Sequence, residues 1–211
     1  MRKKSDTVFF LIILSTLLTN CVSPYYGTAR IEPGWAINAG AGLHSTVVPV
    51  LDAGPIYGVG LRSDVEMGYG FGKYFKPYLR GALGLNTASL YFGDIGVGFQ
   101  GALPIGPMIP AVKIEVNSTG ARPTFAPAFL LGIGRKEIVT LGIRPQFVGF
   151  NPDEYEPFLD VLTTVHISPK LSIFIGAEVT SFIEYFDEND DIPFFSLGVG
   201  YKLPAFHTKQ N

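Results

Sequence analysis

The feature that most constrains this chain is a two-residue alternation of apolar and polar residues that recurs from Gly34 onward. In the segment 61–71, most odd positions are large and apolar, and the even positions between them include Arg62, Asp64 and Glu66. Side chains of a β-strand point alternately to opposite faces, so each such segment has one apolar and one polar face. A helix, with its period of 3.6 residues, does not produce this pattern. The sequence therefore predicts an all-β protein.

The alternation predicts about ten strands in one domain, and eight or twelve are the alternative counts. Short turns alternate along the chain with connections that are mostly longer or more polar. An even number of antiparallel strands joined in this way is typical of a closed up-and-down transmembrane β-barrel. The predicted strands are 34–45, 57–71, 74–86, 89–103, 108–118, 124–134, 137–149, 157–167, 171–185 and 193–203.

Composition decides which face of the strands points inward. Only 16% of the 211 residues are charged, whereas soluble domains carry about a quarter. Most glycines of the predicted strands, including Gly40, Gly42, Gly96 and Gly98, lie on the polar face, and small residues suit a crowded interior. A soluble barrel with its apolar face inward is the alternative. We therefore expect the polar face to line the lumen, with these charged residues: Arg62, Asp64, Glu66, Lys76, Arg80, Asp94, Lys113, Glu115, Arg144, Asp160, Glu178, Glu184 and Lys202.

The N-terminus has the pattern of an export signal. Basic residues 2–4 precede an apolar run over 8–18, which has the length of a signal-peptide core and is too short for a membrane-spanning helix. The run leads into Leu18, Asn20 and Cys21, the only cysteine of the chain.

This junction resembles the lipobox of bacterial lipoproteins, in which a leucine stands three residues before the lipidated cysteine. Asn20 departs from the resemblance, because the family has Gly, Ala or Ser at that position. The resemblance implies lipid attachment at Cys21, and an ordinary secretory signal peptide is the alternative. The expected organisation is a signal peptide (1–20), an N-terminal lipid-anchored or periplasmic tether (21–33), the barrel (34–203) and a C-terminal tail (204–211).

From Gly34 to Leu203 the chain resembles the small outer-membrane β-barrel proteins of diderm bacteria. Residues 196–203 are similar to the assembly signal in the last strand of those proteins, although this chain continues to Asn211. The resemblance implies a location in the bacterial outer membrane, with outer-membrane lipids and the barrel-assembly machinery as partners. It leaves the surface ligand unknown.

The net charge and the predicted strand number argue against two functions, nucleic-acid binding and a wide open channel. Without residues 1–20 the chain keeps 13 Lys and Arg (16 minus 3) and 17 Asp and Glu (18 minus 1), so we expect no nucleic-acid binding. About eight strands give a lumen filled by side chains, and open channels need about sixteen. We therefore expect a filled lumen and a structural or surface-interaction role through the extracellular loops.

Two other functions stay open at this point. An outer-membrane lipid-modifying enzyme, similar to lipid A deacylases, would have its site near His44 and Ser45 at the loop-side end of the first strand. Nothing in the spacing of these residues requires catalysis, so the sequence favours a non-enzymatic role. The other alternative is a narrow passive pore. We expect no cofactor and no metal, because the acidic stretch 187–191 lacks the ligand spacing of a calcium loop.

Overall fold

A computed structural model describes residues 20–21, 27–50, 54–87, 92–119, 122–148, 158–178 and 195–206. Residues 1–19, Glu184 and the acidic stretch 187–191 lie outside the described residues. The strands are β1 (Asn20–Cys21), β2 (Gly34–Val50), β3 (Gly54–Gly70), β4 (Phe75–Asn86), β5 (Phe92–Ala102), β6 (Met108–Thr119), β7 (Arg122–Ile133), β8 (Val139–Val148), β9 (Phe158–His166), β10 (Leu171–Glu178) and β11 (Phe195–Phe206).

Strands β2 to β11 form a closed antiparallel barrel. Each strand pairs with the next along the chain, and β2 also pairs with β11, so the sheet has no open seam at its ends. The prediction of an all-β, up-and-down barrel with about ten strands is therefore confirmed. Among the described residues, no helix has the length and apolar character needed to cross a membrane.

Apolar side chains point outward and charged side chains point into the lumen, as the alternation predicts. On β3, Leu61 and Val65 point outward and are 60% and 49% exposed, whereas Arg62 and Asp64 point into the lumen and are buried. The same alternation continues around the wall, so the outside is an almost continuous apolar surface. An exterior of this kind matches the lipid-facing band of a transmembrane barrel.

Short connections gather at one end of the barrel, which we call the turn end: residues 71–74, 103–107, 134–138 and 167–170. Gly72 and Gly106 have positive φ angles of 69° and 58°, a conformation that residues with a Cβ rarely adopt. The opposite end is called the loop end. Two of its connections, 51–53 and 120–121, are as short as the turns, so the predicted alternation of short and longer connections is not uniform.

The hairpin of β2 and β3 differs most from the prediction. The predicted strands end at residue 45 and begin again at residue 57, but β2 continues to Val50, β3 begins at Gly54, and Pro49 pairs with Pro55. The physical reason is that this part of the hairpin extends past the paired regions of β4 and β11. At these positions no neighbouring strand needs the backbone N–H that proline lacks. Strand β1 pairs with Thr46 and Val47 on this extension.

Aromatic side chains form a chain of contacts on the outer surface near the turn end. Trp35, Tyr69, Phe71, Phe75 and Phe99 follow one another across β2 to β5, with neighbouring ring centroids 4.9–6.2 Å apart. Amphipathic and aromatic rings at such a position form the girdle that marks the membrane interface in transmembrane barrels.

Candidate functional site

The centre of the lumen is occupied by a chain of alternating charges, which we call the central ion-pair chain. Asp64 accepts hydrogen bonds from Arg62 (3.0 Å to Nε) and from Arg80 (3.1 Å to Nε). Arg62 also pairs with Asp94 at 3.1 Å, and Arg80 pairs with Glu115 at 3.2 Å. Strands β3 to β6 supply these side chains, and the charges compensate one another in a buried environment.

A second cluster is built around Glu66. Lys76 pairs with its carboxylate at 2.8 Å, and Lys113 pairs with the other carboxylate oxygen. The Lys113 ammonium also lies 4.1 Å from the ring centroid of Tyr78, whose hydroxyl donates a 3.0 Å hydrogen bond to Glu115. Tyr78 therefore joins this cluster to the central ion-pair chain.

A third cluster lies on β8 and β9. One carboxylate oxygen of Asp160, Oδ2, accepts hydrogen bonds from Arg144 (2.6 Å to Nη2) and from Gln146 (2.6 Å). Near the turn end, Lys202 pairs with Glu32 at 2.9 Å. Eleven of the thirteen predicted lumen charges thus take part in ion pairs, while the side chains of Glu178 and Glu184 lie outside the described residues: Arg62, Asp64, Glu66, Lys76, Arg80, Asp94, Lys113, Glu115, Arg144, Asp160 and Lys202.

Strands β7, β9 and β10 also place apolar side chains in the lumen. Leu130, Leu162 and Phe174 are buried there, and glycines on facing positions leave room for them. A Cβ atom at Gly142 would lie 2.9 Å from Leu130 Cδ2, and one at Gly176 would lie 2.8 Å from Leu162 Cδ2. The side chains therefore pack against glycine backbone, and this explains why the lumen-facing positions are rich in glycine.

The segment that precedes β2 lies inside the turn end of the barrel. We call residues 27–32 the N-terminal plug. Ala29 is fully buried and Ile31 nearly so, and both pack in an apolar cluster with side chains such as Ile109 and Leu130. Residues 27–32 belong to the predicted tether 21–33. The contacts of residues 27–32 show that this part of the stretch is packed against the barrel wall.

Glu137, in the turn 134–138, and Gln100, on β5, hold the plug through its backbone. Glu137 accepts hydrogen bonds from the N–H groups of Ala29 (2.5 Å) and Arg30 (3.1 Å). The amide of Gln100 donates to the carbonyl oxygens of Thr28 (2.8 Å) and Ala29 (2.9 Å). The plug is therefore bound by specific contacts.

Glu137 itself is held in an unusual backbone conformation. Its φ angle is 55°, in the left-handed region that residues with side chains rarely adopt. Thr140 donates a 2.8 Å hydrogen bond to Glu137, and the Thr140 hydroxyl also lies 2.8 Å from His166 Nε2. Glu137 and Gln100 could not be identified from the sequence, because no spacing pattern marks residues that bind backbone groups.

The candidate catalytic residues are part of the barrel wall. His44 is buried in the lumen beside β3, where a Cβ at Gly60 would lie 2.7 Å from His44 Cε1. The Ser45 hydroxyl accepts a 2.8 Å hydrogen bond from the N–H of Phe195 on β11. Cys21 pairs through its backbone with Thr46, and its side chain lies outside the described residues. In the described part of the chain, no three His, Cys, Asp or Glu residues are grouped so that they could hold a metal.

Comparisons with known proteins find similarity only at the level of structure. No model of a protein family matches the chain, and no curated protein sequence matches it. A designed transmembrane β-barrel is 15% identical with a TM-score of 0.37, and the match covers 82% of this chain and 99% of that one. The KdgM porin, solved with disordered oligogalacturonate, is 10% identical with a TM-score of 0.41 and the same coverage.

The attachment invasion locus protein Ail of Yersinia pestis, solved with the heparin analogue sucrose octasulfate, is also similar. It is 10% identical with a TM-score of 0.30, and the match covers 82% of this chain and all of that one. At these identities and TM-scores, the role of the present chain has to be inferred from its own residues.

Proposed function

We propose that this chain is a bacterial outer-membrane β-barrel with a closed lumen that acts at its loop end, in a structural or surface-interaction role. The observation that carries the proposal is the filling of the lumen. The central ion-pair chain crosses it, the Arg144–Asp160 pair and apolar side chains of β7, β9 and β10 occupy further parts of it, and the N-terminal plug lies in the turn end. In this proposal the lumen stabilises the barrel.

The apolar exterior supports the membrane location. Outer-membrane lipids would contact the outward faces of β2 to β11, where large apolar side chains are widely exposed. In water, a patch of this extent would favour aggregation. The other proposed partner is the barrel-assembly machinery, which would recognise β11 as the last strand. The surface ligand is not identified.

The energetics of the charged clusters argue against a permanently open path. A hydrated ion that crossed the centre would have to displace Asp64 from Arg62 or Arg80, both of which are buried. Removing one partner of a buried ion pair costs about 3–5 kcal/mol, because an uncompensated charge remains. The plug adds a second barrier, since Glu137 and Gln100 would have to release its backbone.

Conductance measurements test the closed lumen. The purified full-length chain, inserted into planar lipid bilayers, should give no steady unitary conductance, because the charged clusters and the plug leave no continuous aqueous path. A general porin in the same bilayers serves as the positive control. Heat-modifiable gel migration of the same sample shows that the barrel is folded. Reproducible unitary openings would contradict the closed lumen and favour the narrow pore.

We also propose that Cys21 is acylated. The leucine three residues before it and its position after an apolar run support this proposal. The substitution Cys21→Ala should abolish incorporation of radiolabelled fatty acid in growing cells, because the thiol that forms the thioether bond is lost. Ser23→Ala, two residues away, is the matched control and should leave labelling unchanged. Unchanged labelling of Cys21→Ala would contradict lipid attachment and favour an ordinary signal peptide.

A further inference from the structure

The four connections at the turn end expose basic side chains and no acidic one. Their exposed charged residues, which we call the basic rim, are Lys73, Arg135, Lys136 and Lys170. Glu137, the acidic residue of these connections, is buried and bonds to the backbone of the N-terminal plug. Among the described residues, the basic rim forms no ion pairs. The exposed turns therefore carry an unbalanced positive charge.

The basic rim stands beside exposed apolar side chains. Phe71, Ile138 and Ile167 are 58%, 61% and 58% exposed, and each lies two or three residues from a member of the rim. They continue the apolar exterior of the wall to its edge. In a membrane, Lys and Arg at such an edge lay their methylene stems along apolar surface and place the charged group among the lipid headgroups.

The opposite end of the barrel has the opposite charge in its sequence. The connections 149–157 and 179–194 join strands at the loop end and contain three and five acidic residues, respectively, and no basic residue. A cluster of charges of one sign attracts ligands of the other sign and repels those of its own. Charge complementarity therefore favours the turn end as the place where an anionic ligand binds.

We propose that the basic rim binds the headgroups of anionic phospholipids in the membrane leaflet at the turn end. The rim would contact the negatively charged headgroups, and the acyl chains would lie against Phe71, Ile138 and Ile167. An acidic protein would also complement the charge, but the apolar side chains beside the rim favour an amphipathic ligand. The proposal rests on the membrane location of the proposed function and is independent of the closed lumen.

The chain contains a natural reporter for this surface. Trp35 is its only tryptophan and is exposed on the outer surface near the turn end. Its ring contacts Tyr69 at 5.4 Å between centroids, and Tyr69 contacts Phe71 at 4.9 Å, two residues before Lys73. Bromine atoms on a lipid acyl chain quench tryptophan fluorescence on contact. Quenching of Trp35 therefore reports which lipid lies beside Lys73.

Lipid competition in vesicles tests the proposal. The full-length chain is inserted into equal mixtures of phosphatidylglycerol and phosphatidylcholine, with bromine on the acyl chains of one lipid or the other. One basic side chain near an anionic lipid should give phosphatidylglycerol an advantage of about fivefold beside Trp35. Lys73→Gln should reduce this ratio to about one. Arg135→Gln is the matched control: it removes a rim charge on the opposite side of the barrel and should leave the ratio unchanged.

A second variant moves the reporter to the other end. Val59 is exposed on the outer surface of β3, next to the pair of Gly60 with the last residue of β4. Trp35→Phe/Val59→Trp should show no preference for phosphatidylglycerol.

The outcomes separate the two proposals. Equal quenching of Trp35 by the two brominated lipids, or a preference that survives Lys73→Gln, would overturn lipid binding by the rim and leave the membrane location intact. An equal preference at both reporter positions would also overturn it, because the charge of the turn end would not be its cause. If neither brominated lipid quenches Trp35, the membrane location itself is contradicted, and lipid binding by the rim with it.

Discussion

Replacing Asp64 by alanine is expected to lower the free energy of unfolding of the barrel by about 3–5 kcal/mol. Asp64 accepts hydrogen bonds from both Arg62 and Arg80, and all three side chains are buried. After the substitution, two guanidinium groups remain in the lumen with one carboxylate fewer. Each keeps one ion-pair partner, Asp94 or Glu115, but both lose the hydrogen bonds to Asp64, and the two buried guanidinium groups are left without the carboxylate that bridges them, so their repulsion destabilises the folded state.

Urea unfolding in lipid vesicles, followed by the fluorescence of Trp35, measures this loss. Asp94→Ala is the matched control, because it removes the same charge but only the ion pair with Arg62. We expect a clearly smaller loss of stability for this variant. If the two variants lose the same free energy of unfolding, the position of Asp64 between two arginines does not contribute additional stability.

The barrel could be predicted from the sequence because one physical rule operates on every strand. Each strand has the apolar exterior of the barrel on one side and the polar lumen on the other, so apolar and polar residues alternate with a period of two. Arg62, Asp64 and Glu66 could be assigned to one face for this reason. Their pairing could not be predicted, because it depends on the register between β3, β4, β5 and β6.

The N-terminal plug is not marked by any residue pattern in the sequence. Glu137 binds backbone N–H groups, which every residue except proline has, and Gln100 binds backbone C=O groups, which every residue has, so residues 27–32 need no recognisable pattern. Ala29 is a small side chain in a tight position, where it lies 3.1 Å from the place of a Cβ at Gly132. A single alanine of this kind does not stand out in a sequence.

Prolines in this chain show how strongly the structural context decides their effect. Pro49 and Pro55 were interpreted as loop residues, yet they lie in paired strands where β2 and β3 extend past their neighbours. Pro127 and Pro145 were assigned to strands, yet they interrupt the ladder between those strands. The difference is whether a proline faces a strand that needs its N–H, and the sequence does not contain this information.

Replacing Val65 by arginine is expected to destabilise the barrel in a bilayer by about 2–4 kcal/mol. Val65 lies midway along the wall on β3, points outward and is half exposed, so the guanidinium would stand in the hydrocarbon layer. The same substitution at Phe71, at the turn end, should cost about 0–1 kcal/mol because the charge reaches the interface. Urea unfolding in vesicles measures both variants.

The comparison of these two positions separates a membrane barrel from a soluble one. If the apolar exterior of β3 faced water, arginine at Val65 would be well hydrated, and its cost would not depend on depth along the strand. A loss that is large at Val65 and small at Phe71 therefore requires a hydrocarbon layer around the middle of the wall. Equal small effects at both positions would contradict the membrane location, whatever the conductance of the lumen.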